Sequence, residues 1–233
     1  MHRQARFLPA GDKALCVELG DAISPEINHQ VRSLLLAVDK ELIPGITDMV
    51  PTYRSILVYY DPMSIDYSEL EAQLCALNDH LENMNVGTSK VVEVPTVYGG
   101  EYGPDLEYVA GYNGLNTDEV VRIHSGTDYL VYMMGFTPGF TYLGGMSERI
   151  ATPRLQTPRV AIPAGSVGIA EQQTGVYPME SPGGWRLIGR TPIKIFDADR
   201  NPPVAVEAGN YARFVPVSEA EYLDLGRQRE VGN

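Results

Sequence analysis

Between Gly135 and Pro192 the chain carries ten glycines and seven prolines, a density that leaves almost no room for helix. Proline fixes φ and removes a donor, and glycine permits positive φ and close backbone approach. The stretch reads GFTPGFTYLGGM and then RIATPRLQTPRVAIPAGSVGIAEQQTGVYPMESPGGWRLIGRTP. Apolar β-formers such as VAIPA, SVGIA and RLIG separate the punctuating residues. That pattern predicts short strands joined by shaped turns. A low-complexity linker has the same glycine and proline but lacks core-forming aromatics. Here Phe136, Phe140, Tyr142, Tyr177 and Trp185 are interleaved through the segment. It therefore reads as a rigid all-β surface with aromatic and basic side chains at defined places, a binding surface in need of a ligand.

Charge supports that reading. The whole chain of 233 residues has a net charge of −12, which argues against a nucleic-acid partner. Within residues 149–194, however, Arg149, Arg154, Arg159, Arg186, Arg190 and Lys194 face only Glu171 and Glu180. Arginines suit bidentate capture of carboxylate or phosphate. Pairing with acids elsewhere in the fold is the alternative for any one of them. The candidate ligand-binding residues are Phe136, Phe140, Tyr142, Arg154, Arg159, Gln173, Tyr177, Trp185 and Arg190. His124, the last histidine along the chain, is the candidate for moving a proton, with a structural role as the alternative. The alternation of GFTPGFTY would set Phe136, Phe140 and Tyr142 on one face of an extended strand, above a floor that the glycines leave open. In SPGGW, Gly183 and Gly184 allow a close backbone approach beside Trp185.

Ahead of this segment the pattern is different. Residues 5–9 and 14–19 read as short strands about a Gly11-Asp12 turn. Ser24 caps a helix that starts at Pro25, carries Ile27, Val31, Leu34, Leu35 and Val38 at helical spacing, and stops before Pro44-Gly45. ITDMV and SILVYY alternate like strands, and a second helix runs from about Ser68 to Met84. Followed by the strand VVEVPTVY, this order is close to a split βαβ plan. The polar stretch NVGTSK (Asn85–Lys90) reads as a linker, dividing a domain over residues 1–88 from another over 89–233. In the second, Pro104 can open a short helix through Val109, Asn116 or Thr117 caps another to about His124, and DYLVYMMGF is a strand. The rest, up to a terminal helix over Ser218–Gln228, reads as a β-barrel.

Several chemistries are excluded. No phosphate loop, dinucleotide fingerprint or HExxH motif occurs, and the histidines show no ligand spacing, so no metal site is expected. Ala164-Gly165-Ser166-Val167-Gly168 misses the nucleophile-elbow pattern by its first residue and lacks its strand-to-helix setting, so Ser166 reads as a turn serine. Cys16 and Cys75 read as buried small hydrophobes in a reduced compartment. The N-terminal MHRQARFLPAGD has no apolar core or cleavage site, and no apolar run nears the roughly 20 residues of a membrane span. The cytoplasm is the expected location.

VYGGEYGPDLEYVA, RIHSGTDYLVYMMGFTPGFTYLGGM and the long Gly/Pro segment, with the N-terminal pattern, resemble the allophanate hydrolase subunit 1 family over almost the whole chain. That family includes the B-type chains of bacterial ATP-dependent 5-oxoprolinases, to which the pattern is most similar. It also includes Kip-type inhibitors of a sporulation histidine kinase and half of the carboxyltransferase portion of urea carboxylase. The resemblance implies an α+β fold: a small ferredoxin-like N-terminal domain followed by a cyclophilin-like β-barrel, without prolyl isomerase activity. It implies a share in the ATP-driven opening of the 5-oxoproline lactam to glutamate, with ATP used by the complex. The implied partners are a subunit 2 (C-type) chain and a lactam-utilisation (A-type) chain. A kinase regulator, or a component of urea and allophanate metabolism, is the alternative. Glu171 departs from the small residue common in the family before QTG, and is expected to set a negative charge beside the pocket.

Overall fold

The computed structural model describes residues 5–81 and 87–231. The chain divides into two compact units, Met1–Thr88 and Ser89–Asn233.

The first unit is a four-stranded antiparallel sheet. Its strands are β1 (Arg6–Pro9), β2 (Ala14–Glu18), β3 (Ile46–Pro51) and β4 (Ser55–Tyr60), in the spatial order β1-β2-β4-β3. Helices α1 (Pro25–Glu41) and α2 (Tyr67–Asn78) supply Val31, Leu34, Val38, Leu70 and Leu74 to one core. Leu15 and Val17 of β2 and Ile56 and Val58 of β4 meet them from the sheet. Ser24 caps α1 by accepting from the Ile27 N–H at 3.2 Å. This is the ferredoxin-like plan with one exchange. The expected last strand, VVEVPTVY, is not in this sheet; the place beside β2 is taken by β1, folded back as an N-terminal hairpin. Helix α2 ends at Asn78, short of Met84, and residues 82–86, with the start of the expected linker, lie outside the described residues. Cys16 and Cys75 are free thiols but only half-buried; Cys16 alternates to the sheet face opposite Leu15 and Val17.

The second unit begins with β5 (Val91–Tyr98), α3 (Leu106–Tyr112) and α4 (Thr117–Ser125). Then come β6 (Asp128–Met134), β7 (Thr141–Gly144), β8 (Arg159–Ile162), β9 (Ser166–Ala170), β10 (Gln173–Val176), β11 (Ser181–Gly183), β12 (Arg186–Arg190), β13 (Tyr211–Pro216) and α5 (Glu219–Val231). Seven strands close a barrel in the order β10-β7-β6-β13-β5-β12-β9. All pairs within it are antiparallel except β5 with β13. Strands β8 and β11 form a separate two-stranded ribbon. The strand expected through Phe136 stops at Met134, and Ser166 opens β9, fully buried, rather than sitting in a turn.

The barrel interior is filled. Val131, Leu143, Ile169, Val176, Ile188 and Phe214 point inward and are buried, joined by Leu106, Val109 and Val120 from the two helices. Helix α4 is held by a full capping box between Asn116 and Glu119 and delivers His124 into this core.

Candidate functional site

Strand periodicity sorts the Gly/Pro-rich segment into two faces. Ile169, Val176, Ile188 and Leu143 go to the barrel core; their neighbours Ala170, Tyr177, Leu187 and Tyr142 go to the outer face. There a second apolar cluster forms, with Phe140, Trp185 and Ile162 from the ribbon. Phe140 is its centre. It makes edge-to-face contacts with Phe136 and Tyr177 at 5.5 Å, Trp185 at 5.5 Å and Tyr142 at 5.2 Å between ring centroids.

Glycine makes this packing possible at two points. A Cβ on Gly175 would lie 3.3 Å from Trp185 Cζ3 and 3.4 Å from Phe140 Cζ. A Cβ on Gly183 would run into the Tyr177 hydroxyl. The aromatics lie against bare backbone, and where the ribbon fails to cover them a cavity of about 290 Å³ remains. Its walls are Phe136, Phe140, Tyr142, Tyr177 and Trp185; Pro158, Pro182, Gly183, Gly184 and Arg154 complete them.

Phe136 reaches the cavity by a route the alternating pattern did not anticipate. Its φ is 63°, in the left-handed region, and it is 62% exposed. The Thr137 N–H donates to the Gly135 carbonyl at 2.7 Å across it, and the Phe140 N–H donates to the Thr137 carbonyl at 3.0 Å. A tight turn, not an extended strand, therefore sets the three aromatics around one space. For a bulky residue this backbone is strained, and such strain clusters at functional sites.

The electrostatics of the cavity are simple. Arg154 is exposed, its guanidinium carbon 6.0 Å from the Trp185 ring centroid, and among the described residues no carboxylate pairs with it. Burial raises the Tyr177 hydroxyl above the ordinary tyrosine range; a hydrogen bond at the Trp185 backbone and the guanidiniums of Arg154 and Arg159 pull the other way. It remains a neutral hydroxyl at neutral pH, a donor beside a cation.

Six of the ten candidate residues thus converge: Phe136, Phe140, Tyr142, Arg154, Tyr177 and Trp185. The other four lie elsewhere. His124 is fully buried inside the barrel, and its Nδ1 and Nε2 are each 2.8 Å from a hydroxyl, of Tyr98 and Thr174 respectively. Thr174 Oγ1 donates to the Gly168 carbonyl, so it accepts from His124 Nε2–H, and Tyr98 donates to Nδ1. Burial pushes the imidazole pKa down from 6.5 to about 3. Arg159 is spent on an ion pair with Asp105 at 2.9 Å. Arg190 lies over the Tyr102 ring at 5.6 Å, and Gln173 pairs with Ala170 in the β9–β10 hairpin. Glu171 occupies the tip of that hairpin, exposed, with φ 52°, and does not line the cavity. The left-handed backbone there is the physical reason a small residue suits the position.

The local excess of positive charge is therefore largely absorbed. Arg186 stacks on Tyr108 at 3.7 Å, and its Nη1 lies 4.0 Å from Asp105; Lys194 pairs with Asp197 at 2.9 Å. Asp105 is the residue sequence reasoning missed. In GGEYGPD it reads as part of a turn ahead of a helix, yet it makes no side-chain cap there. Its carboxylate instead accepts from Arg159 Nη2 and, at 2.7 Å, from the Leu187 N–H.

Residues 5–206 match the model of the carboxyltransferase domain, subdomain C and D. The chain belongs to that family. Within it, the B-type 5-oxoprolinase chain of Bacillus subtilis is 42% identical over 226 residues, covering 91% of this chain and 92% of that protein. The Escherichia coli O157:H7 protein of the same name is 38% identical, covering 93% and 98%. The crystal structure of the conserved uncharacterized protein PH0987 from Pyrococcus horikoshii is 51% identical, with a TM-score of 0.56, and covers 93% of this chain and all of that one. A more distant carboxyltransferase-domain relative, the urea amidolyase of Saccharomyces cerevisiae, is 26% identical over only 13% of its own length.

Proposed function

We propose that this chain is the B-type component of an ATP-dependent 5-oxoprolinase and that the aromatic cavity holds its substrate. The observation that carries this reading is end-to-end similarity to proteins of that name, where the resemblance to urea amidolyase covers one segment of a far longer chain. The lining fits a small lactam acid. Flat rings suit the faces of a five-membered amide ring, the free guanidinium of Arg154 suits its carboxylate, and the neutral Tyr177 hydroxyl can donate to its amide oxygen.

The same lining does not suit a nucleotide. A triphosphate needs several cations, a metal or a run of backbone N–H groups, and here one guanidinium stands among five aromatic rings. No cluster of three or more His, Cys, Asp or Glu side chains suited to a metal occurs among the described residues. On this reading the nucleotide binds outside the aromatic cavity, with ATP used by the complex that this chain forms with a C-type and an A-type chain. Opening the lactam breaks its C–N bond, adds water and yields the carboxylate and amine of glutamate. The amide is stable, so ATP drives the step, and this chain's part is to bind and orient the ring.

Purified chain should release no glutamate from 5-oxoproline with ATP, and activity should appear when both partners are added. Calorimetric titration of the chain with 5-oxoproline should show binding that Arg154→Ala weakens by about 10- to 100-fold, the loss of one charge-assisted hydrogen bond of about 1.5–3 kcal/mol. Turnover by the chain alone refutes the shared site, and wild-type affinity in Arg154→Ala refutes the role given to the cavity.

A further inference from the structure

We propose that Asp105 is a positioning residue that clamps three walls of the cavity at once. The inference rests on the reading of the cavity as a ligand site. Asp105 does not line that cavity. It is 7% exposed, and each group it holds lies within two residues of one that does line the cavity.

The first tether is Arg159. Its Nη2 meets Asp105 Oδ1 at 2.9 Å, and its Nη1 donates to the Trp185 carbonyl at 3.4 Å. Arg159 begins ribbon strand β8, and the preceding residue is the wall residue Pro158. The second tether is the main chain of β12. The Leu187 N–H donates to Asp105 Oδ2, two residues beyond Trp185. The third is Arg186, which stacks on the Tyr108 ring at 3.7 Å and holds Nη1 at 4.0 Å from Asp105 Oδ1, an ion pair rather than a hydrogen bond. Its Nε donates to the Pro153 carbonyl at 3.2 Å, which fixes the residue before Arg154.

One carboxylate thus registers Pro158, Trp185 and Arg154 against one another. A two-stranded ribbon has little stability of its own, so its distance from the barrel depends on such ties. Partial burial makes the tie stiff. An oxygen that lost its charge would weaken the acceptor of the Arg159 guanidinium and the Leu187 N–H and take the ion-pair partner from Arg186. In Asp105→Asn the carboxamide keeps one acceptor and turns an NH₂ toward one of those donors.

Trp185 is the only tryptophan of the chain, so its fluorescence reports the cavity wall directly. The experiment compares Asp105→Asn and Arg159→Gln with the full-length wild type. The control is Asp128→Asn, which breaks the pair with Arg213 between β6 and β13. Both cavity-clamp variants should keep the wild-type far-UV spectrum while Trp185 emission moves to longer wavelength and acrylamide quenching rises. The control should change neither. Affinity for 5-oxoproline should fall in Asp105→Asn, because Pro158, Trp185 and Arg154 lose their common register. Folded Asp105→Asn with unchanged emission and quenching overturns the proposal. Should that variant fail to fold, Arg159→Gln decides the matter by the same readout, because it breaks the pair with Asp105 and the bond to the Trp185 carbonyl while the Leu187 N–H stays on Asp105. Should the wild type not bind 5-oxoproline, the substrate reading fails, while Trp185 still reports whether Asp105 sets the wall.

Discussion

Replacing His124 by Gln should remove a specific part of the chain's acid sensitivity. The wild-type imidazole is neutral in the folded barrel, with its pKa lowered by burial to about 3, against 6.5 for the exposed group. Below pH 6.5 the unfolded chain takes up a proton that the folded chain refuses. The unfolded state then binds more protons, so stability falls as pH falls through the window from 6.5 to about 3. The full stabilising balance is present above 6.5. At pH 5 the unfolded group is already mostly charged and the folded one is not, which works out to about 2 kcal/mol lost relative to pH 7.5. For a unit of this size that is about 4–8 °C in Tm. His124→Gln should itself be destabilising by about 1–3 kcal/mol at pH 7.5, because the ring contact with Phe214 at 4.5 Å and one of two hydrogen bonds are altered. The decisive quantity is the second difference. Urea or thermal unfolding of both proteins at pH 7.5 and pH 5 should show the wild type losing about 2 kcal/mol more than the variant. Equal losses would show that His124 is not held neutral in the core, and the hydrogen-bond directions assigned to Tyr98 and Thr174 would fall with it.

Two further substitutions separate packing from recognition. Gly183→Ala places a methyl group against the Tyr177 hydroxyl and 2.8 Å from Ile162 Cδ1. Overpacking of this kind costs about 1–3 kcal/mol, so the melting temperature should drop and 5-oxoproline binding should weaken; an unchanged melt refutes the close packing of ribbon on barrel. Tyr177→Phe keeps the ring and removes the donor. The Trp185 N–H loses its hydroxyl acceptor, so stability should fall by about 1–3 kcal/mol, while calorimetry should show affinity lower by up to about tenfold, one neutral hydrogen bond of about 0.5–1.5 kcal/mol; wild-type affinity would take Tyr177 out of the substrate's hydrogen bonding.

The elements that local chemistry specifies were legible in the sequence. Ser24-Pro25 set the start of α1, Asn116 that of α4, and the alternating apolar runs gave the strands of both units. The aromatics of the Gly/Pro segment pack into one cluster, as their interleaving with glycine and proline allowed. What failed depended on partners distant in sequence. The N-terminal hairpin fills the sheet position expected for VVEVPTVY, since strand pairing across an open edge leaves no local mark. The alternation of GFTPGFTY suggested an extended strand, but Pro138 and Gly139 fold it into a turn that forces Phe136 to positive φ. Basic charge alone could not tell Arg154, which faces the cavity, from Arg159, which Asp105 neutralises from 54 positions away in the chain. His124 was distinguished by being alone, and solitude is equally the mark of a histidine satisfied in a core.

The placement of the cavity follows from how small barrels are filled. Seven strands enclose a space only wide enough for side chains, and here Val131, Ile169, Val176, Ile188, Phe214 and His124 occupy it. A ligand has no room inside. The aromatic cavity lies instead against the outer face, which on a barrel strand is normally polar and wet. On β9 and β12, and one residue past the end of β10, that outer row continues as Ala170, Leu187 and Tyr177, an apolar strip that water would penalise unless something covered it. The cover is the β8–β11 ribbon, too small to stand alone and joined to the barrel by aromatic contacts, by Ile162 and by the Asp105 tethers. Incomplete cover of an apolar strip is what makes a pocket. The glycines and prolines that rule out helix between Gly135 and Pro192 are then the requirement for that arrangement. They bend the ribbon back over the barrel, let Trp185 and Tyr177 lie against bare backbone, and leave Arg154 at the edge where a carboxylate can reach it.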